Sequence, residues 1–140
     1  MIFHLLPRVL GADKHSPTVV VVISLLNIIH KDQLEQLRKS SISACRLNIC
    51  SKVDETTDEM GPFNIETNVD LESVRNGHYS IVLCHPEALL NTRKGQSLLT
   101  DPVFKDNAVA VVIDECHIIE KWYVHPHVHV CTSCAVVKIQ

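Results

Sequence analysis

Two apolar runs without polar alternation, Val19-Val-Val-Val-Ile23 and Ala108-Val-Ala-Val-Val-Ile113, constrain the fold of this chain more than any other feature. A strand with one wet face alternates apolar and polar residues. A solid β-branched run has both faces buried, as in a parallel sheet covered by helices on each side. The first run leads through Ser24 into Ile28–Lys39, where Ile29, Gln33, Leu34 and Leu37 fall at helical spacing and Lys31, Asp32, Glu35 and Arg38 lie on other faces. Further strands are expected over Ala44–Ile49 and Ser80–Cys84, and a short helix over Leu71–Asn76 is stopped by Gly77. Pro86–Leu99 reads as a loop and helix broken by Pro102. Strands that alternate with helices in this way imply a three-layer α/β lobe with a mainly parallel sheet and right-handed crossovers.

Length and composition narrow the function classes. The 140 residues suffice for one domain, and 46% hydrophobic against 21% charged residues exclude a disordered tail. A formal net charge of −3 excludes a wholly basic nucleic-acid coat, though not a local patch. An aromatic content of 4% argues against a stacking platform for bases. Val19–Ile29, with Ser24 and Asn27 as its only polar residues, falls short of the roughly 20 apolar residues of a membrane span. Met1–Leu10 is interrupted by His4, Pro7 and Arg8 and lacks the order of a secretory signal. The chain therefore reads as soluble and intracellular, without membrane partners, its six cysteines reduced. Ser51–Asp70, rich in Asp, Glu, Thr and Asn around Gly61-Pro62, reads as a solvated surface insertion; residues 51–75 hold seven acids against Lys52 and Arg75.

The second apolar run ends directly in Asp114-Glu115. Open α/β sheets bind ligands at the carboxyl ends of their strands, so an acidic pair there is placed for chemistry. Asp114 suits a hydrated Mg²⁺, and Glu115 suits a base that orients or deprotonates a water attacking a γ-phosphate. The same pair also reads as an acidic turn that caps the next helix.

The longer string Asp114-Glu115-Cys116-His117 resembles motif II, D-E-x-H, of the superfamily 2 helicases. Ala110–Trp122 as a whole is similar to the RecQ branch, with Cys116 where that family has Ala. Val19–Ser24 followed by Lys31-Asp32-Gln33 resembles motif Ia, with Ser24-Leu25-Leu26 in place of Ser-Pro-Leu. Gly77–Ile81 followed by His85-Pro86-Glu87-Ala88-Leu89 is similar to the segment around motif Ib. Met1–Pro7 resembles the apolar helix after the phosphate-binding loop, yet the sequence contains no G-x-x-x-x-G-K-[ST].

This resemblance implies a partial RecA-like, ATP-binding lobe over residues 1–122 that lacks the phosphate loop, an open sheet edge, and a divergent, unstructured tail over 123–140. The family hydrolyses ATP with Mg²⁺ and translocates 3′ to 5′ on single-stranded DNA, separating duplexes in nuclear repair and recombination. By resemblance, Asp114 holds the metal through water, Glu115 positions the attacking water, and His117 couples the γ-phosphate site to the DNA surface. Ser24, Pro86 and Glu87 lie near the DNA strand on the same grounds. Lys31, with Arg38, Lys39 and Arg46, either tracks a DNA backbone or forms an ordinary solvated face.

The expected product is a partial helicase that hydrolyses little or no ATP by itself. A non-catalytic nucleic-acid-binding remnant is one alternative. A small zinc protein is another, using His127, His129, Cys131 and Cys134, where alternating histidines share one face of a strand and Cys131-x-x-Cys134 has ligand-like spacing. His4, His15, His30, His78 and His85 read as surface or core residues.

Overall fold

The computed structural model describes residues 5–11, 16–25, 27–51, 63–67, 69–114 and 134–138. In chain order the elements are α1 (Leu6–Leu10), β1 (Val19–Ile23), α2 (Asn27–Lys39), β2 (Ala44–Ser51), β3 (Phe63–Thr67), α3 (Leu71–Arg75), β4 (Ile81–Cys84), α4 (Pro86–Leu90), α5 (Arg93–Thr100), α6 (Pro102–Asn107), β5 (Ala108–Asp114) and β6 (Cys134–Lys138). They build one mixed sheet in the order β3-β2-β4-β1-β5-β6. The four inner strands, β2, β4, β1 and β5, are all parallel, and β3 and β6 flank them antiparallel.

The valine run behaves as its composition demands. Val19 and Val21 face one helical layer, packing with Cys45, Leu47, Val82 and Cys84 against Val74 of α3, Ala88 and Leu89 of α4, Leu98 of α5 and Phe104 of α6. Val20 and Val22 face the other, with Ile81, Leu83, Ala110 and Val112 against Leu37 of α2 and the half-buried Leu6 and Leu10 of α1. Each valine removed from water this way contributes about 1.5–3 kcal/mol, so β1 is wedged between two cores. The three-layer α/β architecture expected from the sequence is therefore present, and it is compatible with a RecA-like lobe. Among the described residues, no helix is long and apolar enough to cross a membrane.

Several expectations need correction. The surface insertion contains a strand: β3 pairs with β2 from Leu47↔Thr67 to Ser51↔Phe63. Its Ile65 packs on the core, which explains why a segment with so many acids still joins the sheet. Residues 52–62 lie outside the described set. The tail is not wholly irregular, because β6 pairs with β5 from Asp114↔Cys134 to Ala110↔Lys138. The apolar Ala-Val-Val stretch of β6 suits a strand, and its ladder closes the β5 edge. Pro102 does more than break a helix. It opens α6, where a missing N–H costs nothing, while Asp101 accepts hydrogen bonds from Val103 N at 2.8 Å and Phe104 N at 3.1 Å. Gly77, at φ +75°, ends α3 as expected, with His78 N bonded to Ser73 O and Gly77 N to Val74 O.

Cys45 and Cys84 are free and buried. Burial pushes the Cys45 thiol up to about 12 and raises Cys84 as well, with a smaller contribution from Cys45, so both stay protonated and inert at neutral pH.

Candidate functional site at the carboxyl edge of the sheet

Strand register defines the site. Leu47, Cys84, Ile23 and Ile113 lie side by side in the four parallel strands. One residue further on, the chain presents Asn48, His85, Ser24 and Asp114, a polar row across the carboxyl edge. Ser24 N donates to Cys84 O at 3.1 Å and His85 N to Leu47 O at 3.0 Å, so the ladder holds the row in line. Side chains alternate along a strand. Because Val22 and Val112 face α2, so do Ser24 and Asp114; because Ala44 faces α2, so do Arg46 and Asn48.

Helix α2 answers this row with two polar residues on its buried stripe. Gln33, 7% exposed, donates from Nε2 to Asp114 Oδ2 at 3.4 Å across 81 positions of sequence. The neighbouring carboxylate fixes the orientation of the amide, since the reverse would set oxygen against oxygen. His30, one turn earlier, is fully buried. Burial holds its imidazole neutral, with the pKa lowered to about 4; His85 and Arg46 add to the shift and the Asp114 carboxylate opposes it. Among the described residues, both His30 ring nitrogens, Gln33 Oε1 and Asn48 Oδ1 are buried without a hydrogen-bond partner. Each such atom costs about 1–3 kcal/mol unless something polar satisfies it. Four of the buried polar residues of the described chain thus gather at one sheet edge: Ser24, His30, Gln33 and Asn48.

A cavity of about 460 Å³ lies beside this edge on the α2 side, lined by Lys31, Leu34, Glu35, Arg38 and Arg46. Lys39 is drawn to Glu35 at 3.3 Å instead. An apolar cavity of about 470 Å³ occupies the opposite face, where Pro86, Leu89, Phe104 and Val111 contribute to its wall.

The residues singled out in the sequence are distributed unevenly over these places. Asp114 ends β5 in the polar row, half-buried. Ser24 is in the row but only 1% exposed, so its side chain belongs to the interior rather than to a surface that meets a strand of DNA. Lys31 is exposed on the basic cavity, whereas Pro86 lines the apolar one, so these two do not share a surface. Glu87 sits in the first turn of α4, its backbone N–H bonded to His85 Nδ1 at 3.4 Å. Glu115 and His117 lie outside the described residues, as do His127, His129 and Cys131; Cys134 is placed opposite Asp114 by the β5–β6 register.

The sequence alone reads His30 and His85 as surface or core residues, with His85 also in the string similar to motif Ib. It places Gln33 on the helical stripe and in the string similar to motif Ia, and it joins none of the three to Asp114. The available signal was polarity on an apolar stripe: His30 and Gln33 share the face of Leu37. Among the described residues no three His, Cys, Asp or Glu side chains gather to hold a metal directly. A cation at Asp114 would therefore keep most of its waters, as Mg²⁺ commonly does. The orphaned Gln33 Oε1 is an acceptor for such a water, so these residues fit a hydrated cation. They offer no glycine-rich cradle for the phosphates of ATP. No match to the chain was found among protein-family models, curated proteins or solved structures.

Proposed function

We propose that the chain acts as a lobe of a RecQ-like, ATP-dependent 3′–5′ DNA helicase, its carboxyl sheet edge holding Mg²⁺ and its α2 face meeting DNA. One observation carries this reading. Ser24, His85 and Asp114, drawn from three strings that separately resemble helicase motifs, are neighbours in a single row. Strings far apart in sequence that converge at the ligand-binding edge of a parallel sheet are what a shared nucleotide site requires.

Within this reading, bound Mg²⁺ supplies neutralisation of the charge that develops on phosphate oxygens. Asp114 holds the hydrated ion, and Gln33 keeps the carboxylate turned towards it. Glu115 orients the attacking water, and His117 links the site to the DNA surface, both roles following from the resemblance. Lys31, Arg38 and Arg46 meet the phosphates of the strand. Because the 140 residues contain no phosphate loop, the chain by itself hydrolyses little or no ATP. Action on DNA repair and recombination in the nucleus belongs to the same proposal.

Fluorescence anisotropy with single-stranded DNA tests it. Contact with three phosphates predicts a log–log salt slope of about −2. A Lys31→Ala, Arg38→Ala, Arg46→Ala variant is expected to flatten that slope. Failure of the wild-type chain to bind at low salt, or equal binding by the triple variant, would overturn the DNA-binding part. ATP turnover abolished by Glu115→Gln would refute the expected inactivity. The same basic cavity also favours a non-catalytic nucleic-acid-binding remnant, for which DNA affinity is indifferent to Mg²⁺ and ATP.

A further inference from the structure

We propose that Gln33 is a positioning residue that completes a cation site with Asp114, and that its Oε1 accepts a hydrogen bond from a water of the bound ion. This inference rests on the Mg²⁺-holding reading of Asp114 and assigns the residue that shapes the site. The carboxamide has two ends with different fates. Its nitrogen is used on Asp114 Oδ2 at 3.4 Å. Its oxygen is buried and has no partner among the described residues, and the residue as a whole is only 7% exposed. A carboxamide fixed at one end by a carboxylate presents its oxygen at a determined place beside it. That place suits a strong hydrogen-bond donor.

The chemistry of the Gln33–Asp114 pair selects the ligand class. Asp114 is an anionic acceptor and Gln33 Oε1 a neutral one, a combination that repels phosphate and sulfate. A water polarised by a divalent cation is the complementary donor, and the cation itself is drawn to the carboxylate. His30, neutral and buried one turn away, adds one acceptor and one N–H donor with no partner among the described residues. The helix face opposite Asp114 thus carries acceptors and a donor that an ordered water would satisfy. Outer-sphere partners of this kind set metal affinity, because they fix the direction of the ligand and of the coordinated waters.

Mn²⁺ binding to the full 140-residue chain, followed by electron paramagnetic resonance, provides the test. Gln33→Met keeps the length and volume of the side chain and removes both polar ends. Its Mn²⁺ affinity is expected to fall about 10-fold, while its urea midpoint without cation stays equal or rises because a buried unpartnered oxygen is gone. A residue with a merely structural role would lower that midpoint and leave the affinity unchanged. Asp114→Asn serves as the reference for the underlying reading. Loss of binding in Asp114→Asn with wild-type affinity in Gln33→Met overturns the inference and leaves the Mg²⁺-holding reading standing. Wild-type affinity in Asp114→Asn, or no Mn²⁺ binding by the wild-type chain, overturns both. Should Gln33→Met fail to fold, Gln33→Glu replaces it: Mn²⁺ is expected to raise its urea midpoint more than that of wild type, and an equal or smaller rise refutes the proposal.

Discussion

His30 offers a sharp check on the electrostatics of the sheet edge. Its imidazole titrates near 6.5 when the chain is unfolded and near 4 when folded, because burial disfavours the charged ring. Between those values the unfolded chain binds a proton that the native state refuses, so acid favours unfolding. The folded pKa is depressed, and the stability tied to it is intact above about pH 6.5 and lost as the pH falls towards 4. Proton linkage gives a loss of about 1.4 kcal/mol at about pH 5.5 and about 2.5 kcal/mol at about pH 4.5, approaching about 3 kcal/mol in stronger acid. Carboxylates titrate in the same range, so the contribution must be read as a difference. His30→Leu, of similar volume and without ionisable atoms, removes this term alone. Urea unfolding of both chains at about pH 7.5, 5.5 and 4.5 is expected to show wild type losing about 2.5 kcal/mol relative to the variant over that range. Parallel pH curves would refute the burial of a neutral imidazole beside Arg46 and His85.

Two further substitutions probe the layer on the other side of the sheet. At Gly95 an added Cβ would lie 2.1 Å from Ala88 O and 2.7 Å from Leu89 Cα, both main-chain atoms of α4. Gly95→Ala is therefore expected to cost about 1–3 kcal/mol or to splay α4 from α5, measured as a lowered urea midpoint. Asp101→Ala removes the cap of α6 and should cost about 1 kcal/mol, with Asp101→Asn retaining most of it in the same assay.

Much of the fold was legible because burial on two faces leaves an unmistakable record. Val19–Ile23 and Ala108–Ile113 have no polar residue to present to water, and they became the inner strands β1 and β5. Edge strands leave a weaker record. In β3 the sequence FNIET carries the alternation of a half-buried strand, yet it is embedded among acids and turn formers that favour an insertion. The end of β6 was hidden for a different reason, since five residues of modest hydrophobicity become a strand only when a partner such as β5 is available. At the site, Asp114 was readable from its place after an apolar strand. Asn48 and His85 were not, because their meaning depends on register, and His30 and Gln33 showed only as polar residues on the apolar stripe of α2. Only the pairing of Leu47, Cys84, Ile23 and Ile113 shows that the residues that follow them stand in one line.

The central strand has a consequence for how the molecule is made. β1 forms no pair with its sequence neighbours; Val20 meets Ile81 and Ala110, the latter about 90 residues downstream. A ribosome adding roughly 5–20 residues per second needs several seconds to deliver that partner. Throughout that interval four consecutive valines have no ladder to enter, and closing so long a loop is entropically slow. The nascent chain thus passes through a period of exposure, during which a holding chaperone, or slow growth at low temperature, should decide the yield of folded product.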